Sequence, residues 1–343
     1  MRLLTLALIS CCALTPVQGQ DAPSTETKKP TPLFRSQEPL NLTITADLKE
    51  LFRDRDTTKT TWVPATLGWT EGGTASQMAI ELTTRGHFRL KTSTCSFPPI
   101  RVRFPKDSVD KTVWDKQGTL KLVTHCKPNY EQLVLQEYLV YRTYNLLTDL
   151  SLQARLARIE YRDTQKPDQV ETFWGFFLED EDDMAQRNNG KLFKEQGVGF
   201  EVGDPALTGL MSVFFYMAGN TDWSMPYQHN VIIVERGFEF LPVPYDFDWS
   251  GIVGAPYAKP DYRLPIKSVR ERLYRGPCIE RDALNGILDK FRVAKESITA
   301  LYQSLEGMEP ERRDEALKYL GDFWKVLDDP KNTDRELRQV CQK

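Results

Sequence analysis

Residues 206–248, ALTGLMSVFFYMAGNTDWSMPYQHNVIIVERGFEFLPVPYDFD, decide how this chain is read. Leu207, Leu210, Met211, Phe214, Phe215 and Met217 recur near helical spacing, which predicts a largely buried helix over 207–218. Gly219 and Asn220 stop it. Residues 221–230 are polar, contain Pro226, and bring Asp222, His229 and Asn230 into one short loop. The β-branched run 231–234 reads as a buried strand, Glu235-Arg236-Gly237 turns the chain, and 238–243 returns as the second arm of a hairpin. The hairpin runs out on Tyr245-Asp246-Phe247-Asp248.

Asp246 and Asp248 are spaced by two, so at a strand end both carboxylates are expected to leave the sheet on one face. Two hard oxygen donors held close together suit Mg²⁺, which keeps several waters and completes its shell with phosphate oxygens. Asn230 is a further candidate ligand, and Asp222 is the candidate acid that orients or deprotonates a hydroxyl. Helix, acid loop, hairpin and acid pair follow the division of labour of phosphoryl transfer, where positioning and charge neutralisation carry most of the catalysis. The plainer reading is a solvated turn, since Asp, Asn and Pro are all loop formers. The joint occurrence of the four features, in that order, weighs against it.

This stretch resembles the catalytic half of protein-kinase-like folds, and more narrowly the secreted atypical kinases of the spore-coat CotH family. Asp222, His229-Asn230 and Pro244-Tyr245-Asp246-Phe247-Asp248 carry the resemblance. It implies an α+β, two-lobed protein-kinase-like fold, with a strand-rich N-terminal lobe and a mostly helical C-terminal lobe. It further implies ATP and Mg²⁺, Asp222 as the catalytic-loop acid, Asn230 as a metal ligand and Asp246 as the metal-binding acid; Asp248 is a further candidate donor on the pair's spacing alone. Neither His-Arg-Asp nor Asp-Phe-Gly occurs, and Asp248 stands where glycine would. Segments 84–89 (TRGHFR) and 98–104 (PPIRVRF) are also similar to the Arg-Gly and basic-strand pattern early in domains of that family.

The chain has 343 residues, room for one large core or two lobes, and its 40% hydrophobic and 27% charged content is that of an ordinary globular protein. A formal net charge of -3 argues against a broad nucleic-acid or anionic-membrane surface, and no zinc-finger, RNP or basic-helix pattern occurs. Residues 1–19 read as an export signal: Arg2, an apolar run over 3–14, and a cut after Val17-Gln18-Gly19. The run is too short for a permanent transmembrane helix. Leu8-Ile9-Ser10-Cys11 offers the alternative of a lipid anchor at Cys11. Either places the folded chain in the periplasm, at the envelope or outside the cell. Residues 20–40, rich in Pro, Thr, Ser and Lys, read as a flexible spacer. Four further cysteines in an exported chain favour disulfides. Proximity in sequence pairs Cys95 with Cys126 and Cys278 with Cys341, one of three pairings four cysteines allow, and a zinc site finds no CxxC or clustered His.

Strand-like segments dominate the first part, at 42–45, 79–83, 88–91, 100–104 and 120–124, and again at 156–162 and 170–178, with a helix over 131–147. The first lobe is expected over 41–178 and the second over 179–343. Lys121, on a strand that precedes a helix carrying Glu137, is similar to the phosphate-anchoring Lys of kinases and its helical Glu partner. The plainer reading is a solvent-facing Lys and an ordinary surface Glu. Arg103 is a competing phosphate contact, because a guanidinium binds phosphate bidentately. Glu179 opens an acidic run where the lobes of a kinase join; it would accept a hydrogen bond from the nucleotide, or simply begin an acidic helix start. Residues 249–277 form a long irregular segment in the position of an activation segment. Its Arg263, Lys267, Arg270, Arg272 and Arg275 either grip an acidic acceptor or pair within the protein. Helices over 280–305, 309–327 and 333–341 close the chain.

The expected function is an exported, Mg²⁺-dependent kinase that passes the phosphoryl group of ATP to a protein or other hydroxyl acceptor. Two other classes stay open. One is a catalytically inactive kinase-like module that binds a nucleotide or a partner in an envelope or coat, and the other is a phosphoester hydrolase using the same acids.

Overall fold

A computed structural model describes residues 28–53, 55 and 59–342. The expected export signal and Cys11 lie outside the described residues. Seven strands come first: β1 (Leu40–Ala46), β2 (Val63–Glu71), β3 (Thr74–Thr84), β4 (Ile100–Arg103), β5 (Thr119–Val123), β6 (Ala154–Asp163) and β7 (Lys166–Leu178). They close into a barrel in the order β1-β2-β3-β4-β5-β7-β6. The ring is sealed by the one parallel pairing, Leu40 of β1 opposite Ala157 of β6. Alternation along the strands gathers Leu42, Ile44, Leu67, Ile80, Leu82 and Val102 into one buried cluster, which Trp114 and Phe177 complete. A short helix, α1 (Leu48–Arg53), follows β1, and α2 (Glu131–Asn145) lies between β5 and β6.

The second part of the chain is mainly helical. It holds α3 (Glu181–Arg187), α4 (Pro205–Ala218), α5 (Arg281–Ser304) and α6 (Pro310–Asp328), with a small antiparallel sheet of β8 (Lys191–Phe193), β9 (Val231–Arg236) and β10 (Glu239–Pro244). This is a mixed α+β chain, strand-rich first and helix-rich second. Helix α2 buries almost every side chain from Leu133 to Tyr144, because it packs between β6 and β7 of the barrel and α5 of the helical part. It therefore joins the second hydrophobic core, which also takes in α4, β9 and β10.

Several local departures have clear causes. Residues 88–91, expected as a strand, form a turn in which the Lys91 N–H donates to the Phe88 carbonyl at 3.3 Å. The turn belongs to a segment pinned at two points: Cys95 is disulfide-bonded to Cys126, and the Arg55 guanidinium donates to the carbonyls of Leu90, Cys95 and Ser96. The described part of the expected spacer is packed rather than free. Leu33 and Phe34 are buried, and Arg155 reaches the Leu33 and Ser36 carbonyls at 3.2 and 2.6 Å. The helix expected over 333–341 appears as an α-helical turn over Pro330–Thr333 continued by a π-helical stretch over Asp334–Arg338.

Helix α4 follows its sequence closely. The Asp204 side chain accepts the Leu207 N–H at 2.8 Å, and Pro205 occupies the first turn. Gly219 ends the helix at φ 69°, where a Cβ would lie 2.0 Å from the Tyr319 hydroxyl, so only glycine fits.

Both disulfides join the partners expected from proximity, Cys95–Cys126 and Cys278–Cys341, and they fit an oxidising compartment. Among the described residues no helix is long and apolar enough to cross a membrane. The Cys278–Cys341 bond spans 63 residues and holds the C-terminal tail. Replacing both cysteines by serine is expected to lower stability by about 2–5 kcal/mol. Thermal unfolding followed by circular dichroism would register this as a clear fall in Tm, and an unchanged Tm would show that the tail contributes nothing to the fold.

Candidate functional site

The loop after α4 is built on a buried amide. Asn220 is fully buried, and its Oδ1 accepts the Asp222 N–H at 2.8 Å. Asp222 then meets two side chains from the end of the same loop. Its Oδ1 lies 3.0 Å from His229 Nε2, and Asn230 Nδ2 donates to both its main-chain oxygen, at 2.6 Å, and its Oδ2, at 3.2 Å. Arg275 fastens the loop from outside, donating to the carbonyls of Thr221 and Trp223.

The end of β10 is drawn alongside, because the Tyr245 N–H donates to the Asn230 carbonyl at 3.1 Å. The strand stops at Pro244, so Asp246 and Asp248 lie in the loop beyond it. Their common direction is set by that loop and not, as expected, by strand alternation. Asp246 is left-handed, at φ 59°, with its N–H donating to the Tyr141 hydroxyl of α2 at 2.8 Å. Phe247 is buried edge-on to Tyr141 and Phe214, at 4.6 and 5.5 Å between ring centroids. It anchors the acid loop to α2 and α4 at once. Gln228, Asn230 and Asp246, at φ 48°, 55° and 59°, put three left-handed non-glycine residues around one spot. Asn and Asp tolerate that region best, and such backbone strain gathers at working sites.

The hub is Arg89, carried in by the pinned turn. Its guanidinium lies 3.5 Å from Glu137 Oε2, 3.5 Å from Asp246 Oδ1 and 3.4 Å from Asp248 Oδ2. Burial opposes the Arg89 charge, yet the carboxylates of Asp248, Glu137 and Asp246 carry its pKa well above the ordinary arginine value. Burial pushes Glu137 up to about 8 and Asp248 up to about 6, against the opposing pull of Arg89. The Tyr257 hydroxyl donates to Asp248 at 3.0 Å. Arg85 stands close by: burial and the neighbouring Arg89 lower its pKa, while Asp246, Tyr141 and Glu137 favour its charge. Its Nε is buried without a hydrogen-bond partner. The pKa of His229 is raised, first of all by its hydrogen bond to Asp222.

Asp222, Asn230, Asp246, Asp248 and Glu137 are thus brought to one place, and three other candidates are not. Leu120 and Leu122 point into the barrel, so alternation turns Lys121 outward, where it pairs with Glu181 and lies 5.6 Å from the Tyr245 ring. The cation beside Glu137 is Arg89 instead. Arg103 donates to Glu81 at 2.7 Å and covers the Trp62 ring at 4.2 Å. Glu179 is buried in an ion pair with Arg187 at 2.7 Å and also accepts the Gln153 N–H, so its carboxylate is engaged inside the protein. The basic segment is internally engaged too: Arg263 binds Asp261, Arg270 faces Glu315, and Arg272 donates to the carbonyls of Met217 and Tyr319. Sequence reasoning missed Arg85, Arg89, Tyr141 and Tyr257 as site residues. The Arg-Gly segment 84–89 held the signal for the first two.

Glu137, Asp246 and Asp248 share Arg89, with Arg85 close by, while Asp222 is held separately by His229 and Asn230. Among the described residues no group of three or more His, Cys, Asp or Glu could enclose a metal ion. A protein-only metal cage therefore does not fit. Asp246 and the Asn230 amide oxygen are the donors that an ion completing its shell with ligand phosphates and water, as Mg²⁺ does, would use. No protein-family model matches this chain, and a search of curated proteins finds no match.

Proposed function

We propose that this protein is an exported, two-lobed kinase of the CotH type that transfers the γ-phosphoryl group of ATP to a hydroxyl acceptor. The barrel with α2 corresponds to the first lobe, and the chain beyond β7 to the second. One observation carries the reading: Arg89 ties Glu137 of α2 to Asp246 and Asp248, next to the hydrogen-bonded Asp222 and Asn230. A cation fixed by a helical glutamate and set against the metal-binding acid is the arrangement that protein kinases use for phosphoryl transfer. Arg89 takes that role in place of Lys121, and as an arginine it grips phosphate oxygens in pairs. Arg85, with its unpartnered Nε, supplies a second phosphate contact.

Asp246 and the Oδ1 of Asn230 would hold Mg²⁺, with Asp248 braced behind them by Tyr257. Magnesium, when bound, supplies charge neutralisation on the phosphates. Asp222, whose Oδ1 and Oδ2 are oriented by His229 and Asn230, takes the proton of the acceptor hydroxyl. The acceptor oxygen bonds to the γ-phosphorus, the bond from that phosphorus to the β,γ-bridging oxygen breaks, and its electron pair leaves with ADP.

The test is incubation of the secreted, disulfide-bonded protein with γ-labelled ATP and Mg²⁺. Label is expected on a hydroxyl of an added acceptor or of the protein itself. Release of label only as free phosphate would replace this reading by a hydrolase.

A further inference from the structure

We propose that the acceptor is a neutral saccharide, bound in the cavity that opens beside Asp222; this rests on the phosphotransfer reading of Asp222 given above. The cavity measures about 870 Å³, within the size range of small-molecule sites, and its wall includes Asp222, Ser224 and His229 on one side and the 259–264 segment on the other.

Its rim is aromatic. Tyr262 is 93% exposed and Tyr227 71%, and both belong to the wall together with Trp249. Trp249 is braced edge-on by Phe88 at 5.4 Å, so its orientation is fixed before any ligand arrives. The face of a sugar ring that carries C–H bonds is weakly positive, and it stacks on the negative face of an aromatic ring. Tyrosine suits the task further because its apolar body stacks while its hydroxyl stays in water.

The charges of the wall favour an uncharged ligand. Arg263 is taken up by Asp261, Arg275 is spent on the carbonyls of Thr221 and Trp223, and Asp222 is held by His229 and Asn230. An acidic peptide would meet guanidiniums that are already taken up, with Lys259 the remaining cation of the wall, and a basic one would meet carboxylates that are already engaged. A saccharide needs both donors and acceptors, which the Ser224 hydroxyl and the Asp261–Arg263 pair provide between them, with the Lys259 ammonium as a further donor. With its ring stacked on the rim, a sugar hydroxyl meets Asp222. That hydroxyl oxygen bonds to the γ-phosphorus, its proton passes to Asp222, and the bridging oxygen departs with ADP.

The test has two arms on the full secreted chain. In the first, neutral trisaccharides (maltotriose, mannotriose and chitotriose) are titrated calorimetrically without nucleotide. In the second, the same sugars and a protein mixture compete for label from γ-labelled ATP and Mg²⁺. Binding of at least one sugar is expected in the first arm, and label on that sugar in the second. Tyr262→Ala combined with Tyr227→Ala is expected to weaken sugar binding and transfer about tenfold or more, whereas Tyr262→Phe with Tyr227→Phe keeps the rings and retains both. Both tyrosines are exposed, so their replacement leaves the core intact, and a retained Tm verifies it. Absence of binding by all three sugars, or label confined to protein and indifferent to the double alanine variant, overturns the saccharide proposal. Sugar binding without any transfer supports the cavity assignment and instead overturns the phosphotransfer reading.

Discussion

Asp222→Asn is expected to lower phosphoryl transfer by about 10²–10⁴-fold, the usual contribution of a positioned general acid or base. The loss should fall on the chemical step. Asp222 is anchored through its backbone as well as its side chain, since its N–H donates to Asn220 and its carbonyl accepts from Asn230. Those bonds survive the exchange, and the side-chain volume is nearly unchanged. In the proposed reading the nucleotide is gripped elsewhere, by Arg89 and Arg85, with Mg²⁺ at Asp246. Single-turnover transfer on the variant would therefore collapse while stabilisation by nucleotide and Mg²⁺ persists. Transfer within tenfold of the native rate would remove Asp222 from the chemistry.

The largest effect on stability is expected at Arg187. Its side chain is 7% exposed and that of Glu179 1% exposed, and the guanidinium also donates to the Asp149 carbonyl at 2.7 Å. Arg187→Met leaves the Glu179 carboxylate buried without its counter-ion, which costs about 3–5 kcal/mol. Against a typical total of about 5–15 kcal/mol this is a large part of the folding free energy. Combining it with Glu179→Leu removes the stranded charge and should recover much of the loss, a coupling that a double-mutant cycle in urea measures. A single variant within about 1 kcal/mol of native would mean that water reaches the pair. The same geometry gives the Glu179 carboxylate a structural task, fastening the end of β7 to α3 from within.

Much of the central stretch was legible because its signals are local. Asp204, Pro205 and Gly219 bound α4 through contacts with their own neighbours, and the β9–β10 hairpin follows from β-branched periodicity with Gly237 at its turn. The disulfides were legible from proximity alone. What failed was long range. Arg89 enters the site from a turn at 88–91 that is tied down by the Cys95–Cys126 bond and by Arg55, long-range contacts that local propensity does not encode. Lys121 pairs with Glu181 and not with Glu137 for a related reason. Its strand was correctly anticipated, but which face looks toward Glu137 depends on barrel closure and on where α2 packs. Asp246 and Asp248 converge as expected, although a left-handed loop residue and the buried Phe247 bring this about, not the pleat of a strand.

The central claim is that the acids around Arg89 hold a nucleotide together with Mg²⁺, and thermal unfolding tests it most directly. A ligand at a hundred times its Kd stabilises the native state by about 2.7 kcal/mol, roughly 5 °C for a chain of this size. ATP with Mg²⁺ is expected to raise the Tm of the native protein by that order, and Asp246→Ala to abolish the part of the rise that requires the metal. A native Tm indifferent to every combination of nucleotide and Mg²⁺ would contradict the claim.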